Sequence, residues 1–130
     1  MKVLDASALL AYLKSEPGAA AIATALAEGS LMSAVNLAEV LARRPNPGAA
    51  AQDPVIARLT AGDDAVLTVV PFDDVQARET ANIKAATAGV PLSLADRACL
   101  ALGRLQGLPV LTTDSVWRTL KLKVKVVVIR

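Results

Sequence analysis

The sequence contains no histidine among its 130 residues. That excludes the serine–histidine and cysteine–histidine couples of nucleophilic catalysis and makes a zinc centre a poor fit. Aromatic residues make up only 2%, one each of Tyr12, Phe72 and Trp117. A core must therefore be aliphatic, built from Ala, Leu and Val, and Trp117 reads as a packing residue. The single cysteine, Cys99, excludes an internal disulfide and fits a reducing compartment. It lies inside the apolar stretch Leu94 to Leu102 and reads as core rather than as a reactive thiol. No apolar run approaches the roughly 20 residues that span a bilayer. Charge within the opening Met1-Lys2-Val3-Leu4-Asp5 argues against a signal peptide. The expectation is a cytoplasmic protein without a membrane partner. Neither a Gly-x-x-x-x-Gly-Lys phosphate loop nor a Gly-x-Gly-x-x-Gly dinucleotide turn occurs.

What is present is apolar residue type in quantity. At 54% hydrophobic the chain can bury a sizeable core, and its length suits one domain over residues 1–130. The net charge of +2 is compatible with a polyanionic partner but forms no basic tail.

Short apolar runs alternate with helical patterns, the signature of an α/β domain with a mainly parallel sheet. Residues 2–5 read as a strand leading into a helix over 7–14. A second helix follows Pro17 and ends near Gly29. A third covers 34–44, closed by Pro45-Asn46-Pro47-Gly48, and another is expected within 49–63, after Asp53-Pro54. Residues 65–72 read as a strand, 73–88 as a helix, and 93–106 as the strongest helix, with Leu94, Ala98, Leu102 and Leu105 along one face. Strands are expected at 109–113 and 124–129.

Eight of the twelve acidic residues lie in turns or polar segments. Asp5, Glu39, Asp96 and Asp114 instead stand in apolar sequence. Asp5 and Asp114 close strands, and parallel α/β sheets bind ligands beyond the carboxyl ends of their strands. Glu39 and Asp96 lie in helices that could lean over the same crevice. Carboxylates converging in a poorly solvated pocket repel one another unless a cation neutralises them. An oxygen-only donor set favours Mg²⁺ or Mn²⁺. Such a centre suits phosphodiester hydrolysis, because it activates water and offsets developing negative charge.

Each acid also has a plainer explanation. Ser93-x-x-Asp96 and Asn36-x-x-Glu39 have the form of capping boxes, and Asp5 and Asp114 that of simple N-caps. It is their joint occurrence that points to a site. Arg43, four residues after Glu39, reads either as an ion-pair partner of that acid or as a phosphate contact at the pocket rim. Lys121, Lys123 and Lys125 alternate with apolar residues, as in a protected edge strand.

Four segments, in order, resemble the motifs of PIN-domain proteins, especially the VapC toxins of bacterial toxin–antitoxin pairs. They are Val3-Leu4-Asp5-Ala6-Ser7-Ala8-Leu9-Leu10-Ala11, Asn36-Leu37-Ala38-Glu39-Val40, Leu92-Ser93-Leu94-Ala95-Asp96-Arg97-Ala98-Cys99-Leu100-Ala101-Leu102 and Val110-Leu111-Thr112-Thr113-Asp114-Ser115-Val116-Trp117. The resemblance implies a three-layer α/β/α sandwich and an endoribonuclease. Its Mg²⁺ or Mn²⁺ would be held by Asp5, Glu39, Asp96 and Asp114, with the hydroxyls of Ser7 and Thr112 lining the pocket. It further implies RNA as substrate, often structured RNA such as tRNA, a cognate antitoxin and a homodimer. Residues 49–64 match no motif. Two other readings stand beside it: a non-catalytic PIN-like module that binds RNA or protein, and a phosphatase or phosphoreceiver domain. For the last, the first strand runs into Asp5-Ala6-Ser7 and lacks both the Asp-x-Asp of such phosphatases and the adjacent acidic pair of receivers.

Overall fold

Neighbouring residues of the inner strands pack into different cores. Val3, Leu31 and Val110 enter one apolar cluster, while their chain neighbours Leu4, Met32 and Leu111 enter another. Side chains alternate across a strand, so a sheet whose strands are apolar at every position must be covered on both faces. In the computed structural model, which describes all residues 1–130, that cover is helical.

The sheet comprises β1 (Lys2–Leu4), β2 (Ser30–Ser33), β3 (Leu67–Val70), β4 (Val110–Thr112) and β5 (Val126–Val128), in the order β3-β2-β1-β4-β5. All four pairings are parallel. Helices α1 (Ala6–Leu13), α2 (Ala19–Ala27), α3 (Ala34–Ala42) and α4 (Pro54–Thr60) contribute to the first core through Leu9, Ile22, Val40 and Ile56. Helices α5 (Asp74–Ala86) and α6 (Leu94–Gln106) contribute Ile83 and Cys99–Leu102 to the second, which also buries Trp117. The architecture is a three-layer α/β/α sandwich. No helix is long and apolar enough to cross a membrane.

Two local expectations are corrected and one is narrowed. The chain enters β2 at Ser30, a strand that the sequence pattern leaves unmarked between two helices. It is four residues long, fully buried and ended by serines, so neither alternation nor length announces it. The helix expected within 49–63 after Asp53-Pro54 is α4, and its range is narrowed because residues 47–52 form a separate 3-10 turn, Pro47–Gln52. Pro54 has no N–H, and the Asp53 side chain accepts from Val55 N–H and Ile56 N–H, so a new helix starts there. In α6, Leu94 and Leu105 are exposed whereas Ala98 to Gly103 are buried all round. A 13-residue helix is about 20 Å long and overhangs three-residue strands at both ends.

Candidate active site

β1 ends at Leu4 and the chain turns directly into α1, with Asp5 as the N-cap. Its Oδ1 accepts from Ala8 N–H at 2.8 Å and from Ser7 Oγ at 2.7 Å. Its Oδ2 accepts from Thr112 Oγ1 at 2.6 Å. Asp5 is buried, and that burial pushes its carboxyl up to about 6. The hydrogen bonds from Thr112, Ser7 and Ala8 pull the other way, while the negative charge of Asp96 adds to the rise.

Asp96 arrives from the first turn of α6. A capping box fixes it: Ser93 Oγ accepts from Asp96 N–H at 3.0 Å, and Asp96 Oδ2 accepts from Ser93 N–H at 2.9 Å. Asp114 follows β4 and caps the 3-10 turn Ser115–Thr119 through a 3.0 Å bond from Val116 N–H. Its own N–H donates to Thr112 Oγ1 at 3.1 Å. The plainer explanation and the site therefore use the same residues, since a cap engages only some of a carboxylate's lone pairs.

Glu39 lies in the second half of α3 and is not part of a capping box. Ser33, not Asn36, is the N-cap of that helix, accepting from Val35 N–H at 3.2 Å. Arg43 forms none of the chain's five ion pairs; the pair in this region is Arg44 to Asp53 at 2.8 Å, and the Arg44 guanidinium holds that carboxyl below its usual range. The i, i+4 pairing of Arg43 with Glu39 is thus absent.

These segments close round a cleft of about 170 Å³ whose walls include Asp5, Glu39, Asp96, Asp114, Ser7, Asn36 and Arg43. The structure thus brings together six of the seven residues singled out from the sequence. Thr112 is the exception. It is fully buried, stands behind Asp5 rather than in the wall, and orients that acid while linking it to the Asp114 backbone. The expectation that it lines the pocket is corrected accordingly, because alternation along β4 turns Thr112 to the same face as Val110, where its hydroxyl meets Asp5 behind the cleft wall.

Asn36 is the cleft residue that sequence reasoning passed over as a cap. It is buried, donates from Nδ2 to Ala95 O at 3.0 Å, and so ties α3 to the first turn of α6. Its Oδ1 is buried without a partner. Its position three residues before Glu39, on the same helix face, was the available signal.

The donor set is all oxygen, which suits a hard divalent cation. As the side chains lie, however, no three acids stand close enough together to hold one. Asp5, Asp96 and Asp114 each have an oxygen turned onto a helix or turn N-terminus.

The sequence profile of the PIN domain matches residues 2–122, and the chain belongs to the PIN-domain family. No curated protein matches it in sequence. Among solved structures it is similar in fold to a chain of VapBC2 from Rickettsia felis bound to a DNA fragment from their promoter. That match has a TM-score of 0.70 and 12% identity over 97% of this chain and 96% of the other. It is likewise similar to FitAcB from Neisseria gonorrhoeae, with a TM-score of 0.68 and 23% identity over 97% and 96% of the two chains. DNA-bound VapBC from Salmonella typhimurium follows, with a TM-score of 0.67 and 17% identity over 98% of each.

Proposed function

We propose that this chain is a Mg²⁺- or Mn²⁺-dependent endoribonuclease, the cytoplasmic toxin of a toxin–antitoxin pair. The observation that carries this reading is a single cleft whose wall carries four acids from four separate segments. Asp5, Glu39, Asp96 and Asp114 would hold the cation, which when bound lowers the pKa of an attacking water and offsets charge gathering on the phosphate. Thr112 and Ser7 keep Asp5 aimed, and Arg43 at the rim meets a phosphate oxygen of the RNA. The toxin role and a cognate antitoxin partner are supported by the fold likeness to proteins solved as VapBC and FitAB complexes; the homodimer is an expectation from the motif resemblance alone. Structured RNA such as tRNA is the expected substrate.

Cleavage of a purified cellular RNA mixture by wild type and Asp96→Asn tests the reading, with Mg²⁺, Mn²⁺ or EDTA present. Metal-dependent cuts by the wild type alone are the expected result. Equal activity of the variant would remove the site assignment. The capping duty of three of the acids favours one second reading, a non-catalytic module that binds RNA or protein.

A further inference from the structure

Beside the acidic cleft lies a second concavity of about 250 Å³, and the two share Ser7, Leu10 and Arg43 in their walls. The rest of this annex is of opposite character, lined by Lys14, Glu16, Thr113 and Arg130. One ion pair crosses it, Arg130 to Glu16 at 3.7 Å, with both side chains 44% exposed. An exposed pair of that length is weak and easily exchanged. Lys14, like Arg43, belongs to none of the ion pairs. Three cations against one acid thus adjoin a cleft of four acids.

Backbone contacts hold this annex together from segments far apart in sequence. α1 ends at Leu13, and Ser15 then takes φ 53, a left-handed value that strains a residue with a Cβ. Glu16 N–H donates to Ala11 O at 2.8 Å and closes the turn. Gly18, at φ 96, presses on the end of the chain: a Cβ there would lie 2.8 Å from the Ile129 carbonyl oxygen. Ile129 N–H in turn donates to Thr112 O at 2.9 Å, and Thr113 N–H donates to Ser7 Oγ at 3.0 Å. The turn carrying Lys14, the segment carrying Arg130 and the floor of the acidic cleft are one connected unit.

The geometry points to a phosphate track: the annex takes a phosphodiester of a single-stranded stretch of the RNA, such as a loop of a structured one, next to the phosphodiester placed in the acidic cleft. This rests on the nuclease reading. A pocket of four carboxylates repels a polyanion, so attraction of the strand must come from adjacent cations, and the overall charge of +2 is too small to supply it. Two contiguous concavities suit successive groups of one flexible strand, whereas an A-form duplex is met across a wide, shallow groove. Tyr12, Phe72 and Trp117 do not line the annex, so base stacking is not available there. The track therefore adds affinity without sequence preference.

The test measures binding of a labelled single-stranded oligoribonucleotide to full-length Asp96→Asn in Mg²⁺, over a range of salt. In that background Lys14→Met with Arg130→Gln removes two cations that line the annex alone. Lys121→Met with Lys123→Met removes the same charge elsewhere. The annex pair is expected to make the dependence of log K on log salt shallower by about 0.7 for each phosphate no longer neutralised, and by about 1.4 for two. The weakening should be equal for unrelated base sequences, and the control pair should behave like the background. Glu16→Gln, which removes the annex's only acid, should tighten binding. An unchanged slope in the annex pair overturns the track while leaving the nuclease reading to its own cleavage assay. Failure of the Asp96→Asn chain to bind RNA at all overturns it too. An unchanged RNA slope together with abolished binding of a poly-glutamate peptide would assign the annex to an acidic protein segment instead.

Discussion

Asp5 performs two tasks that pull in opposite directions. As the cap of α1 it is hydrogen-bonded on both oxygens, and as a buried carboxyl it holds its proton up to about 6. The unfolded chain releases that proton near 3.8. Between those values the native state binds more protons, so the contribution of Asp5 to stability is present below about 3.8 and lost as pH rises through about 6. The full loss is about 3 kcal/mol. Without divalent cation, Asp5→Asn should therefore gain on the wild type as pH rises from 4 to 7, by up to that amount. Urea unfolding of both proteins at several pH values measures it, and parallel curves would remove the burial argument. Cys99, fully buried near Asp5 and Asp96, feels the same environment; burial raises its thiol well above the usual range, so it is a core residue.

Helix and turn N-termini position the acids. Three of the four stand at the cap or in the first turn of such an element, where unpaired N–H groups fix a carboxylate's direction. The elements must then be seated accurately on the sheet. α6 reaches β4 closely because Gly103 leaves room for Val110, and a Cβ there would collide with the valine side chain. Gly103→Ala tests that seating. Overpacking should cost about 1–3 kcal/mol, which outweighs a helix-propensity gain of up to about 1 kcal/mol. A lower urea midpoint is expected, with partial recovery on adding Val110→Ala. A raised midpoint would show that α6 can shift without cost. Element types were legible where capping chemistry and periodicity agreed, as in α6. They were illegible at β2, whose four residues gain their identity from parallel pairing with Lys2, Val3 and β3.

At the scale of the molecule, the strand order decides where the acids meet. The chain runs outward through β1, β2 and β3, then crosses to the other side of β1 for β4 and β5. The reversal leaves a crevice at the carboxyl ends of β1 and β4, where Asp5 and Asp114 follow their strands. α3 and α6 deliver Glu39 and Asp96 to the same place, with Asn36 bonded across to Ala95. Mn²⁺ should therefore raise the melting temperature of the wild type, by the equivalent of about 2.7 kcal/mol at a hundred times the dissociation constant. Asp96→Asn should respond far less. No shift in the wild type would favour the non-catalytic reading, in which the acids serve as caps alone.

Local chemistry was enough for the residue types and for the order of every element but β2. Four acids in apolar settings, strand-to-helix turns, an aliphatic core and the absence of histidine follow from local chemistry. Which of those residues share a cleft was settled by packing between segments distant in the chain. Thr112 and Asn36 exchanged their expected parts, Thr112 moving behind Asp5 and Asn36 into the wall. Side-chain direction depends on how β4 and α3 pack against α1 and α6, and that is set by contacts between segments up to about a hundred residues apart. The basic annex is of the same kind. Lys14 and Arg130 are ordinary charges in the sequence and become neighbours only because Gly18 lets the α1–α2 turn close on Ile129.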